Sequence, residues 1–403
     1  EISSITLDGE DGVSLSGALK LDDNTGAVSI TGPVTLAQHI TINTAANNGT
    51  VTFETSSTTI NGAKNLTISS GSGDVTFQGA IGTAGTGIGN IDVNATAGTG
   101  DIEIFEMGTS GGVMGATGTV DIGNSTTTSI TLDGTTYNTD GNTEFEATAT
   151  GASIKLTGVS PVMTMAAGHT LKFTTADVEL SGTSGTGDVG TTTFTAPGGA
   201  TFAGDIIGKS GMSGTESLTI ETSGGALDIG GSIGGSGKAI GTLLINSSGN
   251  GTIAIAGIGT SSAVGVSGTT TIGNSSTGSI TLDGAEYNTT GSQTYEATGG
   301  TNIDITGTAT EIATAGANIT FSTADLELNN DGTTTITSGG SSNSGNISFA
   351  GAIEANGTSD VLTIVSGTGS VSFSDVIGKT HELAGLNVNA GETDGVGNIT
   401  FSG

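Results

Sequence analysis

The chain has 403 residues, with 38 acidic side chains against seven basic ones, all lysine, and a net charge of −31. That balance excludes a phosphate-tracking nucleic-acid surface, which needs clustered Lys and Arg, and disfavours attraction to anionic membranes. There is no cysteine, so disulfides and thiolate metal sites are absent, and no apolar run approaches the length of a membrane span.

From the first residues onward the apolar side chains come in pairs with one polar residue between them. Ile5/Leu7, Val13/Leu15, Ile40/Ile42, Val51/Phe53, Leu66/Ile68 and Val75/Phe77 open the series. Ile91/Val93, Ile102/Ile104, Val120/Ile122 and Ile130/Leu132 continue it. Leu218/Ile220, Leu227/Ile229, Leu243/Ile245 and Ile253/Ile255 follow, and Leu386/Val388 and Ile399/Phe401 close it. Period two with Thr or Ser between apolar residues is the signature of a strand, and β-branched Thr suits its outer face. Each segment is three to five residues long and ends in Gly, Asn, Asp or Ser, which turn the chain. Gly makes up 73 of the 403 residues, far above the usual 7% or so, and no sustained i, i+3, i+4 pattern predicts a helix. With only three Pro the chain is not collagen-like, and 33% hydrophobic content argues against disorder.

The hexamer Ser129-Ile130-Thr131-Leu132-Asp133-Gly134 also stands at Ser4–Gly9 and at Ser279–Gly284. Beyond it the second and third copies stay aligned. Tyr137-Asn138 matches Tyr287-Asn288, Phe145-Glu146 matches Tyr295-Glu296, and Thr175-Ala176-Asp177 matches Thr323-Ala324-Asp325. The offset of 150 drifts to lower values, each step falling in a Gly/Ser/Thr/Asn stretch, where exposed turns tolerate length change. The first copy lacks about 23 residues between Ile30 and Phe53 with the pattern intact on both sides. A globular core would not survive that loss, but a solenoid can drop a whole coil because each coil touches only its neighbours.

The expected fold is therefore all-β: a right-handed parallel β-helix (β-solenoid) of about 16–20 coils of roughly 20–25 residues each, with no helical domain. Its expected organisation is one continuous solenoid, 1–403, in three long repeats: 1–117 with one coil missing, 118–267 and 268–403. A string of sandwich domains fits less well, because such domains carry longer alternating strands and a buried Trp or Tyr, and this chain has no Trp. The chain opens on Glu1 in repeat phase with no polar cap, and is expected to be processed or an excerpt of a longer rod. Uncapped ends predict association with like chains, end to end.

Candidate sites are sparse. Asp8, Glu10 and Asp11, with Asp22 and Asp23, are oxygen-ligand clusters that would take Ca²⁺, although neither has the spacing of an EF-hand or of a Ca²⁺-binding nonapeptide repeat. Asp8, Asp133 and Asp283 recur in Leu-Asp-Gly, which also reads as a turn ending a strand. Tyr137, Tyr287 and Tyr295 are either a contact patch for a sugar or a partner, or fillers of a wide corner of the core. His39, His169 and His381 are isolated. Glu144/Glu146, Asp177/Glu179 and Asp325/Glu327 place carboxylate pairs on one strand face, as a glycosidase needs. The second and third of these pairs are copies of each other, however, and point to repeat structure. No catalytic residue is assigned, and no cofactor is required.

The phrase Val75-Thr76-Phe77-Gln78-Gly79-Ala80-Ile81-Gly82, followed by Ile91-Asp92-Val93, returns as Thr201-Phe202-Ala203-Gly204-Asp205-Ile206-Ile207-Gly208 and as Val371-Ser372-Phe373-Ser374-Asp375-Val376-Ile377-Gly378. In rhythm and composition it resembles the repeats of filamentous-haemagglutinin-like and autotransporter-like bacterial adhesins. The resemblance implies a right-handed β-helix, secretion, and a role as adhesin or surface fibre. The chain is thus expected to be an extracellular, non-enzymatic fibre, sheath or matrix protein at the bacterial surface. The alternatives are the stalk of a giant secreted adhesin that contacts a surface glycan or another cell-surface ligand, and, more distantly, a carbohydrate-active β-helix.

Overall fold

A computed structural model describes all residues except 1–3, 21–25, 84, 86, 149–150, 152, 182–189, 212–213, 340–344, 390–396 and 403. The apolar-x-apolar segments form short strands, and each strand pairs in parallel with the equivalent strand one turn later, giving a β-solenoid of about 14 turns. Among the described residues the only helix is the 3₁₀ turn Ala45–Asn47, and none is long and apolar enough to cross a membrane. The described chain falls into two compact units, Glu1–Gly204 and Asp205–Gly403.

In the first unit one strand stack runs through Ser4–Asp8, Ala27–Thr31, Val51–Glu54, Val75–Phe77, Ile102–Ile104, Ile130–Leu132, Ser153–Leu156 and Asp177–Leu180. Its register aligns Ile5, Val28, Val51, Val75, Ile102, Ile130, Ile154 and Val178 in a single column. The first two hexamers therefore lie in one stack, five turns apart. A second stack runs from Leu19–Lys20 to Ala200–Phe202. The third begins as Val13–Leu15, Val34–Leu36 and Ile60–Asn61, thins to single bridges at Ile81 and Met107, and resumes as Thr136–Thr139, Val162–Met165 and Thr191–Thr195. The second unit repeats the plan, its longest stack running from Ser217–Ser223 to Ile399–Phe401.

Away from the end strands the inward residues of each pair are buried and the Thr or Ser between them faces out, as period two dictates. Because the backbone rises one strand spacing per turn, like side chains stack. Tyr295, Phe321, Phe349, Phe373 and Phe401 form one ring column with centroids 4.9–5.3 Å apart, and Phe145, Phe173 and Phe202 form another at 5.2–5.4 Å. Each such pair adds about 0.5–1.5 kcal/mol beyond the area it buries. Corners are closed by small polar side chains that replace lost ladder bonds. Ser70 Oγ donates to the Gly73 carbonyl (2.5 Å), Asn94 Nδ2 donates to Ser70 Oγ (2.8 Å), and Asn124 Nδ2 donates to the Asn94 carbonyl (2.6 Å).

The coil count is lower than expected. A turn of 23 residues does occur, from Ile5 to Val28 and again to Val51, and it matches the segment missing from the first copy. Elsewhere the step runs from 21 residues, between Val13 and Val34, to 31, between Met163 and Phe194, and described corner loops such as 108–115 lengthen the turn from Met107 to Tyr137 to 30. About 14 longer turns consume the same chain as the expected 16–20 short ones.

Candidate functional site

The three tyrosines are inside the protein, so the corner-filling reading holds and an exposed contact patch does not. Tyr137 is 1% exposed, and Tyr287 and Tyr295 are 0% exposed. Gly134 N–H donates to the Tyr137 hydroxyl (2.8 Å), and that hydroxyl donates to the Phe105 carbonyl (2.9 Å) one turn below. Gly284 N–H and the Ile255 carbonyl hold the Tyr287 hydroxyl in the same way, at 3.0 and 2.6 Å. The tyrosine ties its own Leu-Asp-Gly turn to the neighbouring turn. Gly134 is required there, since a Cβ on it would stand 1.7 Å from the Phe105 carbonyl oxygen. Burial pushes the ionisation of all three tyrosines far above the ordinary range, opposed in Tyr137 and Tyr287 by the glycine N–H.

The same framework carries a surface loop, and it does so twice. After buried Met107 the chain leaves the stack at Gly108 (φ +81°), turns through a Thr109 N–H to Val113 carbonyl bond (3.0 Å), and rejoins at Gly115, whose N–H reaches the Asn138 carbonyl (2.8 Å). Asn138 Nδ2 pins the loop by donating to the Thr109 carbonyl (2.7 Å). In the second unit Gly259 (φ +73°), the Thr260–Ala263 pair and Gly265 build the equivalent loop, pinned by Asn288 Nδ2 on the Thr260 carbonyl (2.6 Å). The turn that follows has no such loop, so each loop overhangs a step in the surface. Beneath the first lies a cleft of about 410 Å³ lined by Ser110, Met114, Thr136, Asn138, Val162 and Thr164 among others. Beneath the second lies one of about 260 Å³ whose lining includes Val264, Asn288, Glu311 and Ala313. The framework residues recur, and Ser110/Ser261 and Asn138/Asn288 line both clefts, but the facing wall differs: Val162 and Thr164 stand where the second unit has Glu311 and Ala313.

These clefts went unseen in the sequence. A signal was present in Gly108-Thr109-Ser110, which recurs as Gly259-Thr260-Ser261, but the segment is Gly-rich and reads as an ordinary turn.

The acidic residues are arranged differently from the expected clusters. Asp8, Glu10 and Asp11 are exposed, and Asp22 and Asp23 lie outside the described residues. Among the described residues no group of three or more acidic or histidine side chains converges as a metal site would. Asp133 ties its turn to the next, accepting the Thr157 hydroxyl at 2.6 Å. Carboxylates instead form columns along strand stacks: Asp92, Asp121 and Glu144 are register neighbours, followed by Lys172, and Asp304, Glu327 and Glu354 are neighbours in the second unit. Loss of hydration on the crowded strand face, then the charges of Glu144, Asp92 and Glu146, push the Asp121 carboxyl up to about 6. Desolvation likewise raises Asp304 and Glu327. Of the paired carboxylates, Glu146 is raised by its surroundings and by Glu144, while Asp325 accepts the Ala352 N–H (2.8 Å) and shapes a turn. The histidines do not meet: His39 Nδ1 accepts the Asn65 N–H (3.1 Å), His169 lies 3.6 Å from Asp140, and the His381 N–H donates to Glu354 (2.9 Å).

Compared with protein-family models, curated proteins and solved structures, the chain finds no match in any of the three.

Proposed function

We propose that this chain is a non-enzymatic structural β-solenoid that works outside the cell, as part of a bacterial surface fibre, sheath or matrix filament. One observation carries the reading. Between the second and third repeats the parts that build the scaffold are kept, namely the tyrosine tie, the asparagine pin and the glycine exits of the loop, while the facing wall of the cleft changes from Val162 and Thr164 to Glu311 and Ala313. Repetition of that kind preserves a scaffold and its spacing; a catalytic centre would need its reacting groups preserved. Further copies of the chain are the expected partners, since parallel strand addition uses the same backbone bonds that join turn to turn. The phrase Phe77-Gln78-Gly79-Ala80-Ile81-Gly82 and its returns favour a second reading, the stalk of a giant adhesin.

Negative-stain electron microscopy of the native material, with and without a Ca²⁺ chelator, tests the proposal. Filaments whose axial repeat corresponds to one chain are expected. Isolated particles of single chains would overturn it, as would turnover of a polysaccharide that is lost when one carboxylate pair is removed. A native polypeptide far longer than 403 residues would decide for the adhesin stalk.

A further inference from the structure

We propose that the cleft beneath loop 108–115 is a binding site for a small, neutral aromatic molecule, and that its counterpart in the second unit is not. The cleft measures about 410 Å³, within the range of about 300–1,000 Å³ typical of small-molecule sites, whereas the counterpart at about 260 Å³ falls short of it. Its apolar walls are Met114 from the loop and Val162 from the facing strand, and Val162 is 39% exposed. A thioether beside an open aliphatic wall favours an aromatic ring over an aliphatic chain. The floor is short and polar. Asn138 and Thr136 are each 6% exposed, and Asn138 Nδ2 is already committed to the Thr109 carbonyl, so the floor offers neutral polar contacts rather than charge. No ionisable side chain lines the cleft. An ionic ligand would be desolvated there without compensation, and an anion would also meet the field of a chain of net charge −31.

Thr136 and Asn138 are almost covered, so a flat protein face does not reach them, whereas a cleft of about 410 Å³ takes one or two fused rings. The second unit supplies an internal control. Glu311 stands there where the first unit has Val162, and Ala313 where it has Thr164, so the wall that would hold the ring bears a carboxylate.

Indole is a suitable probe, because the chain has no Trp and indole fluorescence can be excited beyond the tyrosine band. Titration of the intact chain should show saturable binding of one indole per chain. Indole-3-acetate, the anionic analogue, should bind at least tenfold more weakly. Val162→Glu, which copies the second unit's wall at a partly exposed position, should weaken indole at least tenfold while circular dichroism stays unchanged. Should that variant fail to fold, Met114→Ser tests the opposite wall, with the same loss expected. Linear, non-saturating uptake, two equivalent sites per chain, or indole binding unaltered in a folded Val162→Glu or Met114→Ser variant would each overturn the proposal.

Discussion

The three buried tyrosines predict a steep alkaline failure. Each is neutral in the folded chain, and burial holds its ionisation far above the value of 10.0 that applies once the chain unfolds. The sign follows from proton counting. Below pH 10 both states keep the phenol protons and the contribution of these groups is constant; above it the unfolded chain releases protons that the folded chain retains, so stability falls as pH rises. Each tyrosine costs about 1.4 kcal/mol per pH unit in that range. The first unit holds Tyr137 and the second holds Tyr287 and Tyr295, so the second loses stability about twice as fast, at roughly 2.8 kcal/mol per unit. Small domains are stable by about 5–15 kcal/mol, so a rise of two to three units above 10 is enough to unfold the weaker of them. The assay is a pH titration followed in parallel by tyrosinate absorbance and far-ultraviolet circular dichroism, and with no Trp the absorbance signal is clean. The two signals should change together, with no tyrosinate before structure is lost. Smooth titration of two or three tyrosines near pH 10 with the dichroism intact would refute the burial on which the reasoning rests.

Tyr137→Phe and Tyr287→Phe should each cost about 2 kcal/mol in urea unfolding, because each leaves a glycine N–H without a partner, and Tyr137→Phe also frees the Phe105 carbonyl. Tyr295 donates to buried Gln293 Oε1 (2.7 Å), where the second repeat has Phe145 and Thr143; Tyr295→Phe and Gln293→Thr should therefore couple by about 1 kcal/mol in a double-mutant cycle, and strict additivity would contradict the pairing. Asp121 titrates higher folded than unfolded, so its contribution is full below about pH 3.8 and lost as pH rises to about 6. Since Asp121 is exposed, solvent screening cuts the effect to about 0.5–1 kcal/mol; Asp121→Asn should stabilise by that much at pH 7 and by nothing at pH 3, and destabilisation at pH 7 would mean that a cation holds the column. Deleting residues 29–51, one full 23-residue turn, should leave a folded solenoid by circular dichroism, whereas deleting 29–40 should not; equal loss in both would refute turn-by-turn modularity.

Much of the fold was legible because period two, repetition and a tolerated deletion are all local signals. The pairs Val28/Ile30 and Val51/Phe53 announce strands, and the 23-residue gap gives the length of a turn. The turn count was not legible, because corner loops such as 108–115 lengthen a turn without adding an apolar pair, and a Gly-rich loop looks alike whether it caps a corner or leaves the surface. The tyrosines were ambiguous for a related reason. A large side chain at a corner can face either way, and only the hydroxyl's two backbone partners, Gly134 and Phe105, decide for the interior.

The acidic columns show why site reading from this sequence is hard. In a solenoid, outward residues one turn apart are brought to strand spacing whatever their distance along the chain, so Asp92, Asp121 and Glu144 become neighbours although 29 and 23 residues separate them. Sequence clusters such as Asp8-Gly9-Glu10-Asp11 lie along a turn instead and spread over its exposed surface. Chemistry on this fold is therefore written down the columns, at intervals set by turn length. Turn length varies from 21 to 31 residues, so no fixed spacing in the sequence reveals a column. The cleft beneath loop 108–115 follows the same rule: Met114, Asn138 and Val162 each come from a different passage of the chain and meet only because consecutive turns stack.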